Sequence, residues 1–163
     1  MDEARFDDLA LRLFEYQLRY NEPYARYCAR LGVVSAPSSW EAIPAVPAAA
    51  FKSAAIATFD VSRAALTFET SGTTAASAGR HSMETSALYD AALLAEFDRF
   101  MLADGARLRY FNLVPDPRER PHSSLGYMMA RVGALRGLGA PGWYLRGSRS
   151  SYGWGCAKCS PAR

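Results

Sequence analysis

The residues of this chain best suited to chemistry form one run. Leu66-Thr67-Phe68-Glu69 reads as a strand and gives way at Thr70 to Ser71, Gly72, Thr73 and Thr74, with Gly79-Arg80-His81 a few positions on. Ser and Thr hydroxyls donate hydrogen bonds to phosphate oxygens, Gly72 lets the backbone approach a ligand, and successive N–H groups can form an anion-binding nest. The same residue types also build ordinary loops and helix caps, and the run alone does not choose between the two. It does exclude two nucleotide-binding classes. No Lys follows Gly72 until Lys158, so there is no Walker P-loop, and no Gly-x-Gly-x-x-Gly fingerprint follows the strand.

Other candidates are scattered. Arg80 can add positive charge beside the run, His81 follows directly, and Lys52 either faces the same anion or is a solvated surface lysine. His122 precedes a helix cap and reads as a loop histidine. Cys156-Ala157-Lys158-Cys159 has redox or zinc spacing, but it lacks the second Cys/His pair or the βαβ frame that such chemistry needs, so no metal site is assigned. No catalytic residue can be named.

These residues need elements to position them. Apolar residues Phe6, Leu9, Leu13, Tyr16 and Tyr20 at three- and four-residue spacing predict a helix over 4–20 with that stripe inward. Asn21 and Pro23 open a second helix, with Tyr24, Tyr27, Cys28 and Leu31 on one face and Gly32 closing it. Cys28 on that face reads as a small buried hydrophobe. Pro37, Pro44 and Pro47 make 33–47 an extended connector that Trp40 pins to the core, followed by a short helix through Lys52 and a strand over Ile56 to Phe59.

After the loop, Thr85 caps a helix to about Ala103, with Leu88, Ala91, Ala92, Ala95, Phe97 and Met101 inward and Gly105 as its stop. Its N-terminus is expected to aim back at the loop and favour anions there. Arg109 to Val114 reads as a buried strand, and Ser123 or Ser124 caps a helix through Val132 with Leu125, Met128, Met129 and Val132 inward. From about Pro141 the periodicity is lost, so the division is 1–140 for the folded part and 141–163 for an irregular tail. Strands separated by helices predict an α/β fold with a mixed or partly parallel sheet.

Composition bounds the reading. The chain has 163 residues, 50% hydrophobic and 21% charged, enough for one core. No apolar run approaches a membrane span and no secretory signal is written, which makes a cytoplasmic protein the expectation. Three cysteines argue against a disulfide framework. The net charge of +3 is uneven: residues 1–104 carry 9 Lys/Arg against 14 Asp/Glu, and residues 105–163 carry 10 against 2. That basic half, with Trp143, Tyr144, Tyr152 and Trp154, offers stacking faces but no nucleic-acid motif, so no nucleic-acid partner is expected.

Thr70-Ser71-Gly72-Thr73-Thr74 resembles the phosphate-binding loop of adenylate-forming enzymes, with Ala75 where that family commonly has Gly and Ser77-Ala78-Gly79-Arg80 where it has Pro-Lys. Within the superfamily the text is similar to acyl-protein synthetases of the LuxE type, the long-chain-fatty-acid luciferin-component ligases. Arg80-His81 and Leu88-Tyr89 carry that likeness, as do Leu13 to Gln17, Asn21 to Tyr24, Trp40, Ile43 to Pro47, Phe51-Lys52 and Pro121 to Met128, together covering about residues 5–135.

The resemblance implies an adenylate-forming N-terminal domain, here incomplete, that uses ATP and Mg²⁺. In the implied reaction a carboxylate oxygen attacks the α-phosphorus of ATP, pyrophosphate leaves, and a thiol then takes the acyl group from acyl-AMP. Thr70, Ser71, Gly72, Thr73 and Thr74 would bind phosphate, with Arg80, His81 and Lys52 as accessories. The acid would be a long-chain fatty acid and the acceptor a protein of a fatty acid reductase complex. The family's later adenine, ribose and lysine motifs have no counterpart here: no acidic residue follows Glu119. The chain is therefore expected to be an N-terminal portion that binds ATP weakly, if at all, alone. Two alternatives accompany this reading: a coenzyme A ligase of the phenylacetate type, and a non-catalytic interaction module that retains the loop.

Overall fold

The computed structural model describes residues 2–70 and 78–145; Ser71, Gly72, Thr73, Thr74 and the tail from Arg146, with Cys156 and Cys159, lie outside the described residues. The described fold is mixed α/β, in two compact units that divide between Glu84 and Thr85.

The first unit begins with α1 (Glu3–Tyr20) and α2 (Glu22–Arg30). Asn21 stands between them and serves both: its N–H donates to the Gln17 carbonyl at 2.9 Å, and its side-chain oxygen accepts from the Tyr24 N–H at 3.3 Å. Pro23 sits in the first turn of α2, where a missing N–H costs nothing. Gly32 ends α2 at φ 76°, with Gly32 N–H donating to Ala29 and Val33 N–H to Cys28, the paired bonds of a Schellman cap. The core is Phe14, Tyr24 and Cys28, with Leu18, Val33, Ile43 and Val46 packed around it.

Helix boundaries follow the sequence closely, but the buried face of α1 does not. Phe6, Leu9, Leu13, Tyr16 and Tyr20, expected inward, are exposed, and Phe14 is the buried residue of the helix. The connector is interrupted by a 3₁₀ turn at Trp40–Ala42 and is tied to α1 and α2 by polar bonds: Asp7 accepts from the Trp40 N–H, while Tyr24 and Tyr27 hydroxyls donate to the Pro44 and Ala45 carbonyls. Trp40 packs edge-on against Phe6 at 5.3 Å, so it pins the connector to the outer surface of α1 and not to the core. Past Pro47, α3 (Ala50–Ser53) forms a single turn. Ile56 to Phe59, expected as a strand, joins no ladder among the described residues and is irregular; a strand needs a ladder to satisfy its backbone.

β1 (Leu66–Glu69) pairs antiparallel with β2 (Arg80–Met83). Residues 80–83, to which the sequence assigned no element, form a strand, so Arg80 and His81 stand on a ladder.

The second unit holds α4 (Ala87–Met101), β3 (Phe111–Pro115), α5 (Ser124–Arg136) and β4 (Gly142–Leu145). Ser86 is the N-cap residue of α4 and Thr85, the expected cap, accepts from the Ala87 N–H at 3.0 Å. Of the residues expected on the inner side of α4 only Phe97 faces in, with Tyr89, Leu93 and Leu94 beside it; Leu88, Ala91, Ala92, Ala95 and Met101 are exposed. Ser123 caps α5 by accepting from the Gly126 N–H, and Val132 is fully buried, while Leu125 faces out.

β3 and β4 pair in parallel across the α5 crossover. Gly142 to Leu145, read from sequence as the start of the irregular tail, therefore belong to the fold. Among the described residues the strands make two separate two-stranded sheets and not one mixed sheet.

Candidate functional site

The candidate site lies on the β1–β2 hairpin of the first unit. Side chains alternate between the two faces of a strand, so the register Thr67↔Ser82 and Glu69↔Arg80 places these four residues on one face and Phe68 and His81 on the other. The Thr67 and Ser82 hydroxyls lie 3.1 Å apart, and the Arg80 guanidinium is 3.5 Å from the Glu69 carboxylate. Thr70 closes the hairpin: its N–H donates to the Gly79 carbonyl and its hydroxyl accepts from the Gly79 N–H, both at 2.9 Å. A Cβ at Gly79 would stand 3.3 Å from the Thr70 hydroxyl, a tight contact, and 3.5 Å from Phe51 Cβ, an ordinary one.

A cavity of about 350 Å³ opens on the hairpin, and its lining includes Lys52, Ser53, Thr67, Ala78, Arg80 and Ser82. Two cations far apart in sequence thus share one cavity with three hydroxyl side chains. Lys52 has no carboxylate partner among the described residues, whereas Arg80 shares its charge with Glu69. No family model, curated protein or solved structure matches this chain.

The expected accessory residues are therefore divided. Lys52 and Arg80 come together, and His81 lies on the opposite face with its ring 5.7 Å from Phe51. Thr70 is described and engaged with Gly79; Ser71, Gly72, Thr73 and Thr74 lie outside the described residues. Sequence reading missed Ser53, Thr67 and Ser82. A signal for the strand pair existed in the period-two spacing of Thr67 with Glu69 and Arg80 with Ser82, which becomes legible once the two segments are paired.

Two cations and hydroxyls are groups that phosphate oxygens accept; here Ser53 donates to the Ala50 carbonyl, the Thr67 and Ser82 hydroxyls bond each other, and Arg80 pairs with Glu69. For Mg²⁺, no group of three or more His, Cys, Asp or Glu side chains converges among the described residues, and no residue is assigned to that ion. A second cavity, of about 540 Å³ in the other unit, is lined by Arg99, Arg107 and Arg136 around Asp98. Its cations are committed: Arg136 grips Asp98 through two bonds of 2.7 Å, Arg107 donates to the Gly137 carbonyl, and Arg99 pairs with Glu96. No helix among the described residues is long and apolar enough to cross a membrane.

Proposed function

We infer that the hairpin cavity binds the phosphates of a nucleotide, and that the binding serves ATP-dependent activation of a carboxylic acid, a long-chain fatty acid in the LuxE-type reading, for transfer to a protein thiol. The observation that carries this reading is that Lys52 and Arg80 line one cavity with Thr67 and Ser82. Lys52 supplies a mobile point charge and Arg80 a planar fork, the two cationic geometries that phosphate oxygens accept. Glu69 sets a limit on affinity: an incoming phosphate competes with its carboxylate for Arg80. Binding is accordingly weak in this chain.

The test is a titration of the full chain with pyrophosphate and with ATP, followed by amide chemical shifts. Lys52→Ala is expected to weaken binding roughly tenfold, the worth of one charge-assisted hydrogen bond. Glu69→Gln is expected to tighten it by freeing Arg80. Identical titration curves for the wild-type chain and a Lys52→Ala/Arg80→Ala double variant would remove the assignment. ATP–pyrophosphate exchange with tetradecanoate, lost in Thr73→Ala, is the readout for the adenylating step.

A further inference from the structure

The apolar stripe of α1 does not enter the core of its unit. Phe6, Leu9, Leu13, Tyr16 and Tyr20 are 41–55% exposed, while Phe14 and Leu18 of the same helix supply the core. Steps of three, four, three and four residues separate the five, which is the a/d pattern of a coiled-coil seam. At 18 residues, α1 offers about 27 Å of that seam. Aromatic rings bound it at both ends: Trp40 packs on Phe6 at one, and the Tyr16 and Tyr20 rings lie 4.7 Å apart at the other.

The two flanks of the seam differ. With Phe6 at an a position, Arg5, Arg12 and Arg19 all fall at g, seven residues apart, and Glu3, Ala10 and Gln17 fall at e. Arg5 has no carboxylate partner among the described residues, Arg12 reaches Asp8 only at 3.6 Å with both side chains in solvent, and Arg19 lies over the Tyr20 ring at 5.3 Å. One flank is thus a row of three cations that weak intramolecular contacts leave accessible. The other is neutral past the first turn: Ala10 and Gln17, with Leu13, line an apolar cavity of about 350 Å³ against Ile43 and Val46 of the connector.

We propose that α1 docks an acidic amphipathic helix of a partner protein, with apolar side chains on the seam and carboxylates on Arg5, Arg12 and Arg19. Charge selects this occupant. In a parallel pair of α1 helices Arg5 would face Ala10 and Arg12 would face Gln17, and in an antiparallel pair arginine would face arginine, so a second copy gains no ion pair along the row. A membrane surface is matched by a helix whose polar face is rich in Lys and Arg, and here Asp8 and Glu15 stand exposed beyond the arginines. The hairpin cavity takes no residue from α1, so the docking face is separate from the phosphate site.

The probes are labelled three-heptad peptides with Leu at a and d, one with Glu at every e and g position and one with Lys there, titrated into the full chain by fluorescence anisotropy. The Glu peptide is expected to bind roughly tenfold tighter than the Lys peptide at low ionic strength, and the ratio to shrink toward one in high salt. The triple charge reversal Arg5→Glu/Arg12→Glu/Arg19→Glu inverts the preference. Leu9→Gln, at an exposed position outside the cavity lining, weakens both peptides roughly tenfold and leaves their ratio unchanged. Because all four positions are exposed, both variants keep the circular dichroism of the parent chain.

Equal affinity for the two peptides overturns the proposal. So does failure of the Glu peptide to bind, or equal binding of a peptide of the same composition with its a/d pattern scrambled. Self-association of the chain that Leu9→Gln abolishes, in place of peptide binding, assigns the face to a second copy. Retention on phosphatidylglycerol vesicles that the triple reversal abolishes, again in place of peptide binding, assigns it to a membrane surface. Either result removes the partner helix as the occupant.

Discussion

Asn21 in the first unit and Asn112 in the second are equally buried, each 3% exposed, and the chain treats them in opposite ways. Asn21 satisfies both ends of its amide: the nitrogen donates to Gln17 and the oxygen accepts from the Tyr24 N–H. Asn112, in the middle of β3, has no hydrogen-bond partner for either side-chain atom among the described residues. One buried amide joins two helices, whereas the other sits in a strand whose flanking positions are apolar. Burial of a polar group is therefore not one kind of event. Paired, it specifies a turn; unpaired, it costs the free energy of desolvation.

The same contrast runs through the two units. The first is organised around Phe14, Tyr24 and Cys28, with rings of Phe14 and Tyr24 edge-on at 5.9 Å. Burial among these groups raises the Tyr24 hydroxyl well above the ordinary phenol range, with its hydrogen bond to Cys28 a smaller cause. The second unit joins its helices by charge. Asp90 of α4 accepts from the Tyr127 hydroxyl and pairs with Arg131 of α5, and two turns further on Asp98 takes the Arg136 fork.

The largest effect is expected at Asn21. Asn21→Ala removes the cap of α2 and strips Gln17 of its donor, and about 1–3 kcal/mol of stability is expected to go with them. Urea unfolding followed by circular dichroism measures it. Asn21→Ser, which keeps an acceptor at the cap, recovers part of the loss. A change below about 0.5 kcal/mol would mean that the buried amide is not what fixes the α1–α2 turn.

Asn112→Leu should move the other way. The side chains are close in size, and the substitution removes two unpaired polar atoms from a buried strand position, so a gain of about 1 kcal/mol is expected in the same unfolding measurement. A loss of that size would show that the Asn112 amide has a partner in the folded chain and would dissolve the contrast with Asn21.

What was legible in the sequence follows the same division between local and distant causes. The α1–α2 boundary at Asn21, the stop at Gly32 and the cap of α5 at Ser123 rest on chemistry within four residues, and they stand where the sequence puts them. The buried side of α1 depends on what the connector brings against it. Leu13 and Tyr16 read as core by spacing, yet Phe14 takes that place. β2 was hidden because Arg80-His81-Ser82-Met83 has little β propensity and becomes a strand only by pairing with Leu66–Glu69. β4 was hidden for a related reason, since Gly142 and Trp143 acquire strand character from β3. In the candidate site, Lys52 and Arg80 were legible as cations, but their common cavity depends on the turn of α3 against the hairpin.

The smallest expected effect separates the two units by pH. The hydrogen bonds from Arg136 hold the Asp98 carboxyl below its ordinary value of 3.8, with attraction to the Arg136 charge adding to them. A carboxyl whose folded pKa is depressed stabilises the folded state fully above the unfolded value and loses that contribution as pH falls through the folded one. Acidification below about 3.8 should thus loosen α4 against α5 while leaving the aromatic cluster of α1 and α2, which holds no carboxylate, in place. Amide hydrogen exchange between pH 5 and pH 2, corrected for the intrinsic rate, is expected to show protection falling first over Ala87–Met101 and Ser124–Arg136. Asp98→Asn should reproduce that loss at neutral pH and remove most of the acid dependence. The pair is partly exposed, so added salt weakens it by screening and should mimic mild acid at the α4–α5 contact. Parallel loss of protection in both units would place the acid sensitivity elsewhere and end the distinction between an aromatic unit and an ion-paired one.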